Sequence, residues 1–348
     1  DLGTLDDVDA LVEDCRRHNL ELAMDVAFQC SPDHPWVDEH PEWFRARPDG
    51  TIQYAENPPK EYQDIYPIDF ESDDWPALWA ALLDVFLFWA KRGVRVFRVD
   101  NPHTKAFCFW EWCLAEVRRV YPDAVFLSEA FTRPKRMYRL AKGGYSQSYT
   151  YFAWRNGPED IRAYMEEITR PEITDFFRPN FWPNTPDILT EYLQSGGRAA
   201  GFARAVLAAT LSSNWGVYGP AFELSDHRAV RAGSEEYLDS EKYQTRAWRL
   251  DDPWSLAPLL GVLNRTRREH PALQQTRLID FHECDNPALV VYSKRTADLR
   301  SVVLCCVNTN PHAEQWGRVD LRLDRLGVGR EDPFVVTDAL TGARYEWR

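Results

Sequence analysis

The sequence lacks any run apolar enough to cross a bilayer; its best stretch, residues 76–90, is too short and carries Asp84. It has no internal repeat and no low-complexity segment, so repeat arrays are excluded. It has seven cysteines, an odd number, and no Cys-x-x-Cys spacing. That excludes a zinc ribbon and argues against a disulfide framework; reduced thiols in a cytoplasmic protein are expected instead. Basic charge is in deficit, 41 Lys and Arg against 54 Asp and Glu, for a net charge of −13. A nucleic-acid partner held by its phosphates is therefore not expected, and neither is a membrane partner. There is no initiator Met and no signal-like start, so the chain is expected to begin inside a longer protein. What is present is ordinary for a folded core, 44% hydrophobic and 27% charged residues. The aromatic load is heavy, with 14 Trp, 15 Tyr and 18 Phe, which suits a large core or a site that stacks sugar rings.

Hydrophobic periodicity predicts alternating elements over the first 270 residues. Helices are expected over 4–18, 76–92, 105–121, 158–169, 188–194, 199–211 and 254–269. Strands are expected over 21–28, 94–100, 124–129, 146–152, 176–181 and 216–218. Thr4 with Asp7 forms a capping-box pattern at the start of the first helix, and Gly93 fits the end of the second. The second helix is apolar almost all round and is expected to be well covered. Alternation of this kind implies an α/β fold with a mainly parallel sheet, as in a TIM (β/α)8 barrel. Six strand candidates are two short of a complete barrel, so the chain is read as a partial barrel, about strands 3 to 8. After Pro271 short strands at 288–294, 301–307, 319–323 and 333–337 predict a small antiparallel β-sandwich. The expected domains are 1–273 and 274–348.

Three carboxylates stand at or just past strand ends: Asp100 after VRVFRV, Glu129 after VFLS and Asp187 after FWPNTP. A carboxylate closing an apolar run is costly unless it is paired or opens into a cleft. Strand ends at a barrel mouth are where such a fold builds its site. Two carboxyls across a sugar ring define glycosyl transfer: one attacks or stabilises the anomeric carbon, the other protonates the leaving oxygen. Arg98, two residues before Asp100, projects to the same face of the strand and supplies a cation there. Several other candidates have structural explanations. Cys30 reads as a space-filler, and Cys108 and Cys113 as core. His34 and His40 have no metal-ligand spacing around them, so no metal is expected. Trp36, Trp43, Trp154 and Trp182 can stack on sugars but suit packing equally. The Asn264-Arg265-Thr266 sequon falls inside a predicted helix and is set aside.

The segments GVRVFRVDNPH (93–103) and FLSEA (126–130) resemble the signature strands of the α-amylase superfamily, glycoside hydrolase family 13. The resemblance implies that Asp100 is the nucleophile, Glu129 the acid/base and Asp187 the third carboxylate. Two departures stand out. Asp25 is kept, but the family's Asn-His after it becomes Gln29-Cys30, and His103 follows the nucleophile by three residues rather than four. With these departures, DVAFQCSPDHPW (25–36), ENPPKEYQD (56–64), RVDNPHTK (98–105), YTYFAWRN (149–156) and GSEEYLDSEKYQ (233–244) are similar to the bacterial maltose-1-phosphate maltosyltransferases. That similarity implies substrates of α-maltose 1-phosphate and an α-1,4-glucan of the glycogen type, no cofactor, and a homodimer in the full-length protein. It also implies a donor-phosphate pocket of Asn57, Lys60, Tyr62 and Asn101, with Lys242 and Tyr243 at the second glucose and Asp25 beside the site. The rival readings are an α-glucan hydrolase or a trehalose-forming isomerase of the same superfamily, and, in another class, a non-catalytic glucan-binding protein. A binding module has no need of all three carboxylates.

Overall fold

The computed structural model describes residues 3–57 and 60–347, the side chains of Asn57 and Lys60 excepted. The chain divides into two compact units after Tyr149.

The first unit opens with α1 (Leu5–Arg17). Its capping box forms as the sequence predicts: the Asp7 amide donates to Thr4 Oγ1 at 3.3 Å, and the Thr4 amide donates to Asp7 Oδ2 at 2.7 Å. A parallel sheet follows in the order β1 (Ala23–Val26), β2 (Val96–Asp100), β3 (Val125–Glu129) and β4 (Gln147–Tyr149). The alternating burial of β2 sends Phe97 and Val99 into the core and leaves Arg98 and Asp100 on the opposite face. Strand β1 is shorter than the 21–28 expected and buries only Val26.

Three helices accompany these strands: α2 (Trp75–Lys91), α3 (Phe107–Val120) and α4 (Pro134–Lys142). Helix α2 departs from expectation. Only the i, i+4 stripe Leu78, Leu82, Phe86 and Ala90 is buried, while Trp75 and Phe88 stay exposed. Its apolar character exceeds what one packed face needs. Helix α4 was not anticipated, although Pro134 in its first turn and Gly143 at its end mark its bounds. Of the two cysteines read as core, Cys113 is buried and Cys108 is exposed, as their positions on different faces of α3 require.

The second unit contains α5 (Pro158–Ile168), β5 (Pro179–Phe181), α6 (Glu191–Leu211), β6 (Asn214–Trp215) and α7 (Ala257–Glu269). Strands β5 and β6 pair in parallel, Asn180 with Asn214 and Phe181 with Trp215. The strand expected at 216–218 thus lies two residues earlier. The two helices expected at 188–194 and 199–211 join as α6 across a kink at Gly197, whose φ of 47° and ψ of −129° are open to glycine and strained for other residues. An antiparallel sheet is built from β7 (Ile279–Phe281), β8 (Leu289–Arg295) and β9 (Val302–Asn308) in the order β7-β8-β9. The strand expected at 319–323 shortens to Val319–Asp320, and Leu323 begins a short helix. Phe334–Thr337 pairs with Arg344–Trp347, a strand not anticipated. No helix of the described residues is long and apolar enough to cross a membrane.

Buried Lys294 docks β8 onto the end of α6. Lys294 Nζ donates to the carbonyls of Gln275 and Thr276 at 2.7 and 2.9 Å and reaches that of Leu211 at 3.5 Å. Arg267 of α7 donates to the Ser212 and Ser213 carbonyls at 3.0 and 2.6 Å. These donors satisfy carbonyls at and beyond the end of α6 that would otherwise be left unpaired.

The antiparallel β region also contains an acid-sensitive group. His282 is buried, its Nδ1 accepts from the Arg322 amide at 3.2 Å, and its Nε2 faces Ser293 Oγ at 3.0 Å. Burial lowers its pKa, Arg322 and Arg162 add to this, and Asp280 and Asp320 oppose it. A lowered folded-state value means that the unfolded chain binds the proton first. The stabilisation is therefore complete above the unfolded value of about 6.5 and is lost as pH falls through the folded one. Thermal melts should show the midpoint dropping from pH 7 to pH 5, with a smaller drop in His282→Asn. An equal drop in both proteins would remove His282 as the cause.

Candidate active site

The first unit gathers a charged cluster at the C-terminal ends of β1, β2 and β3. Strand register sets it: Asp25 lies opposite Arg98, and Asp100 lies opposite Glu129. Arg98 joins all three carboxylates. Its Nη1 donates to both Asp25 oxygens at 2.9 Å and to Asp100 Oδ1 at 3.2 Å, and its Nη2 stands 2.7 Å from Glu129 Oε1. The guanidinium is largely buried. That burial lowers its pKa, but the charges of Glu129, Asp25 and Asp100 outweigh the effect and hold it above the ordinary arginine value. Arg98 is therefore a fixed positive charge at any working pH.

The two central carboxylates differ in surroundings. Glu129 is 5% exposed, whereas the Asp100 side chain retains 21% exposure. Asn101, next in the chain, takes the left-handed conformation at φ 42° and ψ 49°, which Asn tolerates better than most residues. Its amide donates to Glu129 Oε2 at 3.4 Å and its Nδ2 donates to Asp100 Oδ2 at 3.4 Å. Tyr149, closing β4, places its ring 5.9 Å from the Arg98 guanidinium. Burial is the main cause that pushes the Tyr149 hydroxyl up to about 12, so it stays neutral. Cys30 is buried and its thiol is pushed up to about 11 by burial, as a space-filler requires.

Ala55–Asn57 and Lys60–Tyr62 form a hairpin that sets Tyr62 opposite Ala55. The side chains of Asn57 and Lys60 lie outside the described residues. In the second unit Asp187 and Lys242 meet as an ion pair, and Lys242 lies 5.4 Å from the exposed Tyr243 ring. Partial burial opposes the Lys242 charge, but the hydrogen bond and charge of Asp187 prevail and raise its pKa.

The four tryptophans are engaged in packing. Trp43 is buried and its indole donates to Asp74 at 3.0 Å, with Trp36 edge-on at 5.0 Å. Trp154 donates to Glu235 at 2.7 Å, and Trp182 packs against Gly216, where a Cβ would come within 2.5 Å of the ring. Two groupings escaped the sequence. His40, Glu42 and Asp74 bring ligand-type atoms within 4.8 Å of one another, but His40 already pairs with Glu42 at 3.0 Å and Asp74 with Trp43. Lys105, five residues after Asp100, feels the charges of both Asp100 and Glu129.

Residues 281–348 match the family model described as GLGE, C-terminal. The α-1,4-glucan:maltose-1-phosphate maltosyltransferase of Chlorobaculum tepidum is 52% identical over 353 residues, covering 100% of this chain and 52% of that protein. The protein of the same name from Mycolicibacterium smegmatis is 53% identical, covering 100% of this chain and 50% of its own length. The chain is similar to these proteins over its whole length. It spans about half the length of the relatives it matches. Among solved structures, an α-amylase from Lactobacillus plantarum superposes with a TM-score of 0.72 at 17% identity, over 99% of this chain and 79% of that one. An α-amylase from Geobacillus thermoleovorans gives 0.68 at 15% identity, over 88% and 70%. The fold of the chain is thus that of the α-amylases, here a partial (β/α)8 barrel with a C-terminal antiparallel β region.

Proposed function

We propose that the chain forms the catalytic part of a retaining maltosyltransferase. It takes a maltosyl unit from α-maltose 1-phosphate, passes it to the 4-hydroxyl at a non-reducing end of an α-1,4-glucan, and releases phosphate. One observation carries the reading: Asp100 and Glu129 are register partners on neighbouring parallel strands and share one guanidinium. Neighbouring strands run about 4.8 Å apart. Retaining glycosyl enzymes hold their two carboxyls about 5–5.5 Å apart, whereas inverting ones need about 6.5–9.5 Å for a water.

In this scheme Asp100 attacks the anomeric carbon while Glu129 gives its proton to the departing phosphate. The glucan hydroxyl then attacks the maltosyl–Asp100 ester, and Glu129 takes the hydroxyl proton. Arg98 orients both carboxylates and Asp25. Asn57, Lys60, Tyr62 and Asn101 are assigned to the donor phosphate, Lys242 and Tyr243 to the second glucose, and Asp187 to ring hydroxyls, all on sequence resemblance. Residues 1–273 are assigned to the catalytic barrel and 274–348 to the β domain. The setting is a cytoplasmic glycogen-like polymer and a homodimer of the full-length protein.

The full-length protein with α-maltose 1-phosphate and glycogen should release phosphate and lengthen glucan chains in equal molar amounts, with retention at the new bond. Free maltose as the sole product would identify a hydrolase instead. Binding of glucan with no phosphate release from the donor would leave only a binding module.

A further inference from the structure

The antiparallel β region holds an aromatic ring out in solvent. Trp316 is 84% exposed, the most exposed large apolar side chain among the described residues. Its backbone is nevertheless fixed from both sides. Asn286 Nδ2 donates to the Trp316 carbonyl at 2.7 Å and to Gln315 Oε1 at 2.9 Å. The Arg318 amide donates to Asp285 Oδ1 at 2.7 Å, and Asn308 Nδ2 donates to the Ala313 carbonyl at 2.8 Å. Gly317, next to the ring, packs so closely that a Cβ there would come within 2.8 Å of Cys284 Sγ and 3.0 Å of Leu289. The turn is pinned while its indole stays uncovered.

The surroundings select the occupant. An open cavity of about 480 Å³ begins at Arg318 and is walled by Glu283, Cys284, Asp285, Arg318, Val319 and Asp320. Cys284 and Asp285 are also the residues that brace the turn, so the same side chains anchor Trp316 and line the cavity. Glu283 already pairs with Arg162 at 2.8 Å, which leaves Arg318 against Asp285 and Asp320. An anion gains little from that balance, and a wholly apolar ligand would desolvate charges. A protein partner needs about 800 Å² a side around an apolar centre, whereas Gln315, Gly317 and Arg318 flank this ring. A pyranose meets both features. Its C–H face covers an aromatic ring, and its hydroxyls donate to carboxylates and accept from a guanidinium. The volume is that of a small-ligand cleft.

We propose that Trp316 and the adjoining cavity form a holding site for an α-glucan chain, in the unit that does not carry Asp100 and Glu129. The choice of α-glucan as the polymer rests on the maltosyl-transfer reading; the stacking platform itself does not. The site does no chemistry. A polymer held at a second point offers its chain ends at a raised local concentration, which lowers the apparent KM and leaves kcat alone.

The test uses the full-length protein and scores binding apart from turnover. In gels cast with glycogen and without donor, Trp316→Ala should bind glycogen about 10-fold more weakly, the loss expected of one aromatic contact. Trp316→Tyr should keep most of the binding. In turnover, Trp316→Ala should raise KM for glycogen by about 10-fold at unchanged kcat, while KM for maltohexaose holds. The melting temperature and the sedimentation of Trp316→Ala should match the parent, because the exposed ring packs against little. Equal glycogen binding by the parent and Trp316→Ala would overturn the proposal. So would equal rises in KM for glycogen and maltohexaose, which would put the ring in the acceptor site of the reaction itself. A change in oligomeric state would also overturn it, by making the ring a protein contact. If the parent protein binds glycogen through Trp316 but releases no phosphate from the donor, the maltosyl-transfer reading has failed and the holding site stands.

Discussion

Asp100→Ala in the full-length protein should abolish maltosyl transfer, lowering kcat by about 10⁴-fold or more, while the fold and glucan binding persist. The size follows from the role. A nucleophile that splits one difficult displacement into two cannot be replaced by a passing water, and removal of such groups elsewhere costs about 10⁴–10⁶. The structural cost should be small by contrast. Asp100 is partly open to solvent, and Arg98 keeps Asp25 and Glu129 as partners when Asp100 is gone. Phosphate release by a stopped assay gives the rate, and circular dichroism the fold. Glu129→Ala provides the complementary signature: with an activated fluoride donor, which needs no protonation, the maltosyl ester on Asp100 should build up as an added mass on the intact protein. Normal turnover by Asp100→Ala would end the nucleophile assignment. An added mass located on a residue other than Asp100 would move it.

Much of this site could be read along single strands and little of it between them. In VFRVD the period of two puts Arg98 and Asp100 on one face, and the structure keeps them there. That Asp25 and Glu129 flank the same guanidinium depends on the register of β1 and β3 against β2. Register across tens of residues of sequence is decided by packing, and it has no local pattern. Lys105 went unread for a related reason: a lysine in a loop is ordinarily solvated, and only the fold brings it near Asp100 and Glu129. Helix α2 errs in the other direction. Its near-continuous apolar residues signal burial all round, yet only one stripe is buried in the described structure. Helix α4 was missed although Met137 and Leu140 recur at helical spacing between Pro134 and Gly143, whereas the four-residue strand Arg344–Trp347 is too short and polar to carry a periodic signal. The break at Gly197 was legible as two separate helices, and the non-helical backbone there keeps it so.

Arg98→Met should be the most damaging single change to the stability of the first unit. The guanidinium meets Glu129, whose side chain is only 7% exposed, and Asp100, at 21%. Removing it strands a buried carboxylate next to a second negative charge. Breaking a buried pair in this way costs about 3–5 kcal/mol, because the partner's desolvation is no longer repaid. The contact with Asp25 contributes little to that figure, since Asp25 is 62% exposed and water screens it. The melting temperature should fall by several degrees, and kcat by about 10²-fold or more in whatever protein remains folded, because Asp100 and Glu129 lose the group that aims them. Arg98→Lys separates charge from geometry. One ammonium restores a cation but cannot bridge three carboxylates as the planar fork does. It should recover most of the stability and little of the rate. Two outcomes would refute this account of Arg98: a lysine variant with wild-type kcat, or a methionine variant as stable as the parent. In either case the shared guanidinium would not be what holds the two carboxylates in place.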